Sequence, residues 1–415
     1  MSHLATYDVL IAGAGPAGLS AAGALAKRGL RVASLAPAHP PRWPNTYGVW
    51  LDELEAAGLG DFAARRWSTT RVAFAEGAGQ RLVRRYALLD NARLRDALVE
   101  RAEGGEVDWI EGMAHTSERL ADRVRVTTKT GDTLQARLVV DATGHRPALA
   151  RRSDEGAPGF QTAVGIVAEC DNPPVGPDEM MLMDFRPVDV ETDGPPTFLY
   201  VMEVAEGRYL LEETVLVGRP PVGFDRLEAR LDRRLDQLDV GVRQVVDRER
   251  VSIPMGLPLP DARTPEGRHG ILPFGGAASM VHPATGYMIG RMLRAVDPMA
   301  DAVAEALLEG GPGAASRAVD AGWRAIWPAD ARRTRQLLTF GMETLLELDA
   351  ERTRRFFDAF FRLDPTDWRD YLSGTAGPGR TAGIMMQVFG RASLGVKGTL
   401  ARAALSRRGL HILRG

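Results

Sequence analysis

Two glycine-rich turns and one pair of adjacent glutamates are the stretches of this 415-residue chain whose residue types could do chemistry. The first turn, Gly13-Ala14-Gly15-Pro16-Ala17-Gly18, follows the short apolar run Asp8 to Ala12 and opens the helical stretch Ala17 to Arg28. The glycines have separable physical roles. Gly13 permits the tight turn, Gly15 lets a pyrophosphate reach the backbone, and Gly18 lets helix pack closely on strand. The N–H groups at the helix start, at Ala17 and beyond, then face the phosphates, with Pro16 opening the turn. One expected part is missing. The second strand ends Ser34-Leu35-Ala36-Pro37, with no carboxylate to bond a ribose hydroxyl. Arg42 or backbone groups are the candidates for that contact.

The glutamates, Glu212 and Glu213, lie in an apolar strand pattern, with Tyr209-Leu210-Leu211 before them and Val215-Leu216-Val217 after. Neighbours on a strand face opposite sides, so a pocket on one face receives one of the two. A carboxyl buried there is held protonated and can act as a general acid. The competing reading of each is an exposed acidic turn.

Around these stretches the elements order themselves. A strand–turn–helix–strand unit ends near Leu35, a helix runs from about Asn91 to Arg101, and strands follow near Val107–Met113, Val124–Thr128 and Thr133–Val140. Period-2 strands from about Phe160 to Ile253, with a helical segment near Asp225–Leu238, read as a substrate lobe inserted into a dinucleotide domain. Gly270 to Gly290 is the second glycine-rich strand-to-helix turn, and the pattern beyond Pro298 is helical. The fold class is α/β. Residues 1–150 and 254–311 form a discontinuous Rossmann-type domain, 151–253 a β-sheet substrate lobe, and 312–415 a helical region.

Composition excludes other classes. Hydrophobic residues are 45% and charged residues 26%, as in an ordinary globular protein. Net charge is −2, which gives no pull toward nucleic acid. Cys170 is the sole cysteine, so an internal disulfide or a thiolate metal site is impossible, and the seven histidines lack metal-ligand spacing. No metal is expected. The apolar run Val9 to Ala26 is broken by Gly13, Gly15, Pro16, Gly18 and Gly23, so it reads as turn and helix and not as a membrane span. With the first strand about seven residues from Met1, no transit peptide is expected, and a bacterial cytoplasmic location follows as an expectation.

Three separated signals carry a resemblance. Asp141-Ala142-Thr143-Gly144, the segment from Tyr86 through Asp90, Asn91, Arg93 and Leu94, and Gly275-Gly276-Ala277-Ala278 with Pro283 and Gly286 resemble the flavin contacts of the two-dinucleotide-binding flavoproteins. The likeness implies FAD in a fold like that of the hydroxybenzoate hydroxylase group. Gly276 stands where flavin hydroxylases usually carry Asp, and the tryptophan-rich motif of the flavin halogenases is absent. Four further stretches are similar to the lycopene cyclases of plant and cyanobacterial type: Trp43 to Trp50 followed by Asp52-Glu53, Leu210-Leu211-Glu212-Glu213-Thr214, Phe274 to Met292, and Phe356 to Phe361. Leu210 replaces the family's usual Phe. The similarity runs from about Tyr7 to Phe361.

That resemblance implies the chemistry. The family closes the linear ψ ends of lycopene to β-ionone rings: a proton adds to the terminal double bond, the 5,6 double bond captures the cation, and a proton leaves. It selects Glu212 as the acid/base, with Glu213 beside it. It implies reduced FAD as cofactor and NADPH as the reductant that keeps it so. The cofactor contacts are expected from Gly13, Gly15, Pro16, Ala17, Gly18, Arg42, Asn91, Arg93, Asp141, Gly144, Gly275, Gly276, Ala277, Pro283, Gly286, Tyr287 and Met288. The substrate wall is expected from Trp43, Asn45, Tyr47, Trp50, His282, Phe356, Phe357, Phe360 and Phe361; the first four could equally belong to the flavin shell, His282 could be structural or position the flavin, and core packing would also explain the phenylalanines. The partner is lycopene or a related acyclic carotenoid dissolved in a bilayer. The last 40 residues hold seven Lys/Arg and no Asp or Glu, interleaved with Ile384, Met385, Met386, Val388, Phe389 and Leu394, and read as a basic surface on the lipid of the cytoplasmic membrane. A prenyl-lipid reductase or a hydroxylase on the same fold is the alternative.

Overall fold

The computed structural model describes residues 6–39, 41–75, 77, 79–153, 157–187, 194–260 and 270–405. The end of the basic tail, with Arg407, Arg408 and Arg414, lies outside the described residues.

The apolar strand Thr6–Ala12 lies between Val32–Ala36 and Thr133–Asp141 in a seven-stranded sheet, parallel to both. Asp108–Glu111 extends the parallel part beyond Val32–Ala36, and Ile271–Pro273 joins Thr133–Asp141. Two antiparallel strands, Val124–Thr128 and Ala114–Arg119, finish the other edge. The first helix, Pro16–Ala26, starts with proline at its first turn, where no N–H is needed. It packs between this sheet and the long helix Ile289–Glu309, around buried Val9, Ile11, Leu25, Val140, Met299 and Val303. Gly18 makes the packing possible: a Cβ there would lie 1.8 Å from the Gly13 carbonyl oxygen. Gly13 itself has φ +101°, with its backbone pressed on Ala142.

The second seven-stranded sheet has the order Gly241–Met255, Gly159–Asp171, Arg208–Gly218, Thr197–Ala205, Glu179–Asp184, Thr69–Ala73, Gln80–Leu82. The last two strands come from the first 150 residues. The substrate sheet is therefore not confined to 151–253, because Thr69–Ala73 pairs in parallel with Glu179–Asp184. One face is covered by the helix Phe224–Gln237, whose Leu227, Leu231 and Leu235 meet Leu211, Val215 and Ile166. The opposite face, with Leu210, Leu216, Phe198 and Met202, is covered by the C-terminal helices Ala329–Leu345, Ala350–Phe361, Pro365–Ser373 and Pro378–Arg391. A small antiparallel sheet of Gly48–Trp50, Tyr86–Leu89 and Ala63–Trp67 stands between the two large ones.

Candidate active site

The period-2 rule separates the two glutamates, and cross-strand register fixes which goes where. Glu213 faces the Phe224–Gln237 helix, is fully buried, and is clamped by Arg234, with Nε 2.7 Å from Oε2 and Nη2 3.0 Å from Oε1. Its place among the catalytic candidates is corrected by that contact: both carboxylate oxygens are held by a guanidinium on the far side of the sheet. Glu212 faces the C-terminal helices. It sits between Tyr200 on one neighbouring strand and Gly165 on the other. The Thr214 hydroxyl, two residues on and therefore on the same face, donates to Glu212 Oε1 at 2.8 Å. Burial raises the carboxyl to about 7 despite that hydrogen bond, and the charge of Glu249 adds to the rise. Such a group keeps a large share of its proton at neutral pH.

Next to it stands a chain of phenols. The Tyr200 hydroxyl lies 3.3 Å from that of Tyr86, which lies 3.4 Å from that of Tyr287. Burial raises all three well above the ordinary phenol value. They stay neutral. Trp50 meets Tyr86 edge-on at 4.9 Å and Tyr287 at 6.5 Å between ring centroids. Buried Arg84 fixes the indole: its guanidinium lies 4.4 Å from the Trp50 ring centre and bonds Asp52, Glu53 and the Ser373 hydroxyl. Gly48 lets these groups converge, since a Cβ would lie 2.3 Å from the Tyr200 hydroxyl oxygen. Farther along the same apolar cluster, Phe357 stacks against Phe74 at 6.0 Å and Phe185 at 5.6 Å, and Phe361 stacks on Phe74 at 5.8 Å. Phe360 meets Tyr371 edge-on, while Phe356 is half-buried at the margin.

Other expected wall residues lie elsewhere. Trp43 packs with Leu19, Leu51 and Leu94 in the dinucleotide domain and donates Nε1–H to the Ala14 carbonyl at 3.0 Å, so it braces the first glycine turn. The Asn45 carbonyl accepts from Asn91 Nδ2 at 2.6 Å, and Tyr47 packs on the same domain. His282 is a buried pin. Its Nδ1 accepts from the Ala284 N–H, and its Nε2 lies 3.0 Å from the Tyr371 carbonyl, tying the second glycine turn to the Pro365–Ser373 helix. Burial lowers it to about 3, so it is a neutral imidazole.

The expected cofactor residues gather at the mouth of the parallel sheet. Gly15 and Gly144 each have no atom within 4 Å of where a Cβ would stand, leaving open space against the backbone. Gly275 and Gly276 press on Ala17 and on Gly144 and His145, which joins the two turns. Asn91 Oδ1 is buried without a partner. Asp141 is corrected from a direct contact to a loop knot: its carboxylate accepts from the Thr143 N–H and hydroxyl and from the Leu149 and Ala150 N–H groups. Arg93 is turned onto the Asp61 carbonyl and the Phe62 ring, and Arg42 is exposed. Pro283, Gly286, Tyr287 and Met288 form the turn before the long helix, closed by the His282 N–H to the Tyr287 carbonyl at 2.8 Å.

Two residues escaped the sequence reading. Arg152 bonds the carbonyls of His145, Gly276 and Ala277 and so ties both turns together. Glu249 stands opposite Gly165 on the side away from Glu212, and its Oε1 accepts from the Thr46 N–H at 3.0 Å. Neither has a local signal. Among the described residues no cluster of His, Cys, Asp and Glu could hold a metal.

The family model for Lycopene cyclase protein matches residues 8–397. The chain belongs to the lycopene cyclase family. This family member is 37% identical over 390 residues to a lycopene beta cyclase of Synechococcus elongatus, covering 93% of each chain. It is 38% identical to a chloroplastic lycopene beta cyclase of Arabidopsis thaliana, over 88% of this chain and 74% of the relative. A capsanthin/capsorubin synthase of Capsicum annuum is 35% identical, over 94% of this chain and 79% of the relative. Among solved structures, a geranylgeranyl bacteriochlorophyll reductase-like protein of Thermoplasma acidophilum superposes with a TM-score of 0.68 at 18% identity, covering 96% of this chain and 99% of the other. An anhydrotetracycline hydroxylase of Streptomyces rimosus does so with 0.61 at 17%, covering 91% and 76%. These two likenesses show the fold that this cyclase-family member shares with them.

Proposed function

We propose that this protein is a lycopene β-cyclase, closing the ψ ends of lycopene to β-ionone rings without net redox change. The carrying observation is Glu212, a carboxyl whose proton is retained by burial beside three neutral tyrosines and a tryptophan. An alkene is a very weak base, and a desolvated carboxylic acid is the donor in this wall best suited to it. Glu212 gives its proton to C2 of the terminal double bond. The C1 cation is captured by the 5,6 double bond, and the ring cation loses a proton from C6. Faces of Trp50, Tyr86 and Tyr287 supply electron density of about 0.5–2 kcal/mol each without offering a charged nucleophile. The raised phenols matter here, because a phenolate would trap the cation.

FAD fits the cradle. The open space beside Gly15 and Gly144 and the unpartnered Asn91 Oδ1 are what a pyrophosphate and a hydroxylated chain would fill. Gly13, Gly15, Gly18, Gly144, Gly275 and Gly276 would hold it. When bound in reduced form it supplies a negative partner for the cation, and NADPH is the proposed reductant that maintains that form. The substrate arrives from a bilayer, so peripheral attachment to the cytoplasmic membrane of a bacterium is part of the proposal.

Product composition tests the reading. Lycopene incubated anaerobically with the FAD-loaded protein and NADPH is expected to give cyclic carotene of unchanged mass. A product heavier by two hydrogens would instead make the protein a reductase, and one heavier by oxygen in a parallel incubation under air would make it a hydroxylase.

A further inference from the structure

The cyclisation takes a proton in at one carbon and out at another, and a second carboxylate stands on the same sheet face as Glu212. We propose that Glu249 is the base that removes the C6 proton, and so the residue that fixes the ring as β. The inference rests on the cyclase reading above.

Register places the two acids. Gly165, on the central strand Gly159–Asp171, is opposite Glu212 on one side and opposite Glu249 on the other. Directly opposed residues share a face of the sheet. At about 4.8 Å between strands, the two glutamate Cα atoms stand roughly 10 Å apart. Gly165 between them has no side chain, and a Cβ there would already touch Glu212 Cβ and Cγ at 3.4 Å. Leu210 Cδ1 would be nearer still, at 3.0 Å, so these two side chains cover the glycine, with one glutamate on the strand to each side. Tyr200 is in the field of both.

The two acids have different partners. Glu212 Oε1 accepts a hydroxyl hydrogen from within its own strand. Glu249 Oε1 accepts the Thr46 N–H, from the segment that leads into Gly48–Trp50. Among the described residues no Arg, Lys or His forms an ion pair with Glu249, so no fixed cation competes for a proton arriving there. A negative charge at Glu249 also favours the proton on Glu212.

The step balances. The Glu212 proton bonds to C2, the C1–C6 bond forms, and the C6–H electron pair becomes the 5,6 double bond as that hydrogen goes to Glu249. Glu249 then loses its proton to solvent and Glu212 regains one from solvent, which restores the site. No oxidant or reductant is consumed. A base reaching C4 instead would give the ε ring, so the place of this carboxylate decides the isomer.

The test uses the full-length FAD-loaded protein, NADPH and lycopene in liposomes, in D2O. With Glu249→Gln, β-ring formation should fall by roughly 100-fold, while recovered lycopene or ring isomers other than β still carry solvent deuterium, because Glu212 still protonates. Glu212→Gln should show neither rings nor deuterium. A Glu249→Gln protein that makes β rings within about twofold of wild type overturns the assignment. So does a folded one, judged by its flavin spectrum, that is inactive with no deuterium in lycopene, since the residue would then serve protonation or binding. If the Gln variant does not fold, Glu249→Asp carries the test: slowed closure with a larger share of rings other than β supports the role, and unchanged rate and product overturn it. A wild-type protein that makes no ring at all contradicts the cyclase reading, and this assignment falls with it.

Discussion

Glu212 and Glu213 are neighbours in sequence with opposite physical fates. Glu213 is neutralised by a bidentate guanidinium, whereas Glu212 is desolvated with one hydroxyl partner. Removing one partner of a buried ion pair leaves an uncompensated charge, so Glu213→Ala is expected to cost about 3–5 kcal/mol of stability, read by denaturant unfolding. Glu212→Ala should leave stability far less affected while abolishing turnover. The pH dependence follows from the Glu212 value of about 7. The donor is the protonated form, so turnover should fall about tenfold per pH unit above that value. His282, neutral down to about 3, contributes no step between pH 5 and 8. Strand periodicity already says that the two glutamates part company. Which one enters the site depends on which sheet face the C-terminal helices cover, and nothing within the segment 209–217 encodes that.

At the scale of elements, the strand Gly48–Trp50 is where the small sheet delivers Trp50 beside the tyrosines. Its first residue has no room for a side chain. Gly48→Ala would put a Cβ 2.3 Å from the Tyr200 hydroxyl and 2.7 Å from that of Tyr86, so the phenols must shift. Turnover should fall roughly tenfold or more, as expected for displaced groups at a reacting centre. Flavin retention, read by absorbance of the purified protein, should be unchanged. The glycine turns were legible because their function needs particular backbone conformations, which restrict residue type locally. The place of Thr69–Ala73 was not, because its partner Glu179–Asp184 is about a hundred residues away, and Gln80–Leu82 joins that sheet only through Thr69–Ala73. Trp43 and Asp141 illustrate the same limit. Both sit in recognisable motifs, yet one braces a turn and the other ties a loop, and a motif does not say which way a side chain points.

For the whole molecule, the remaining question is how a bilayer-soluble C40 hydrocarbon reaches a site between two sheets and a helical cover. Among the described residues no helix is long and apolar enough to cross a membrane. On the helices Pro378–Arg391 and Leu394–Leu405, Met386 is 65% and Leu394 87% exposed, while Ile384 and Val388 are buried inward. The basic stretch is less free than its composition implies: Arg380 is paired with Asp367 and Asp370, and Arg391 bonds the Arg362 carbonyl. Apolar insertion by Met386 and Leu394, more than charge, is therefore expected to anchor this face. Met386→Asp combined with Leu394→Asp should lower co-sedimentation with phosphatidylglycerol vesicles several-fold, and salt should weaken the wild-type association only in part.

In the proposed reaction a carboxylic acid, Glu212, starts ring closure by proton transfer with no net redox change. The direct measurement is the deuterium content of carotene formed from lycopene by the FAD-loaded protein in D2O under anaerobic conditions. One solvent deuterium per β ring and otherwise unchanged composition are expected, with none in the Glu212→Gln protein. Rings that form without solvent deuterium, or at the wild-type rate in Glu212→Gln, would contradict that proposal.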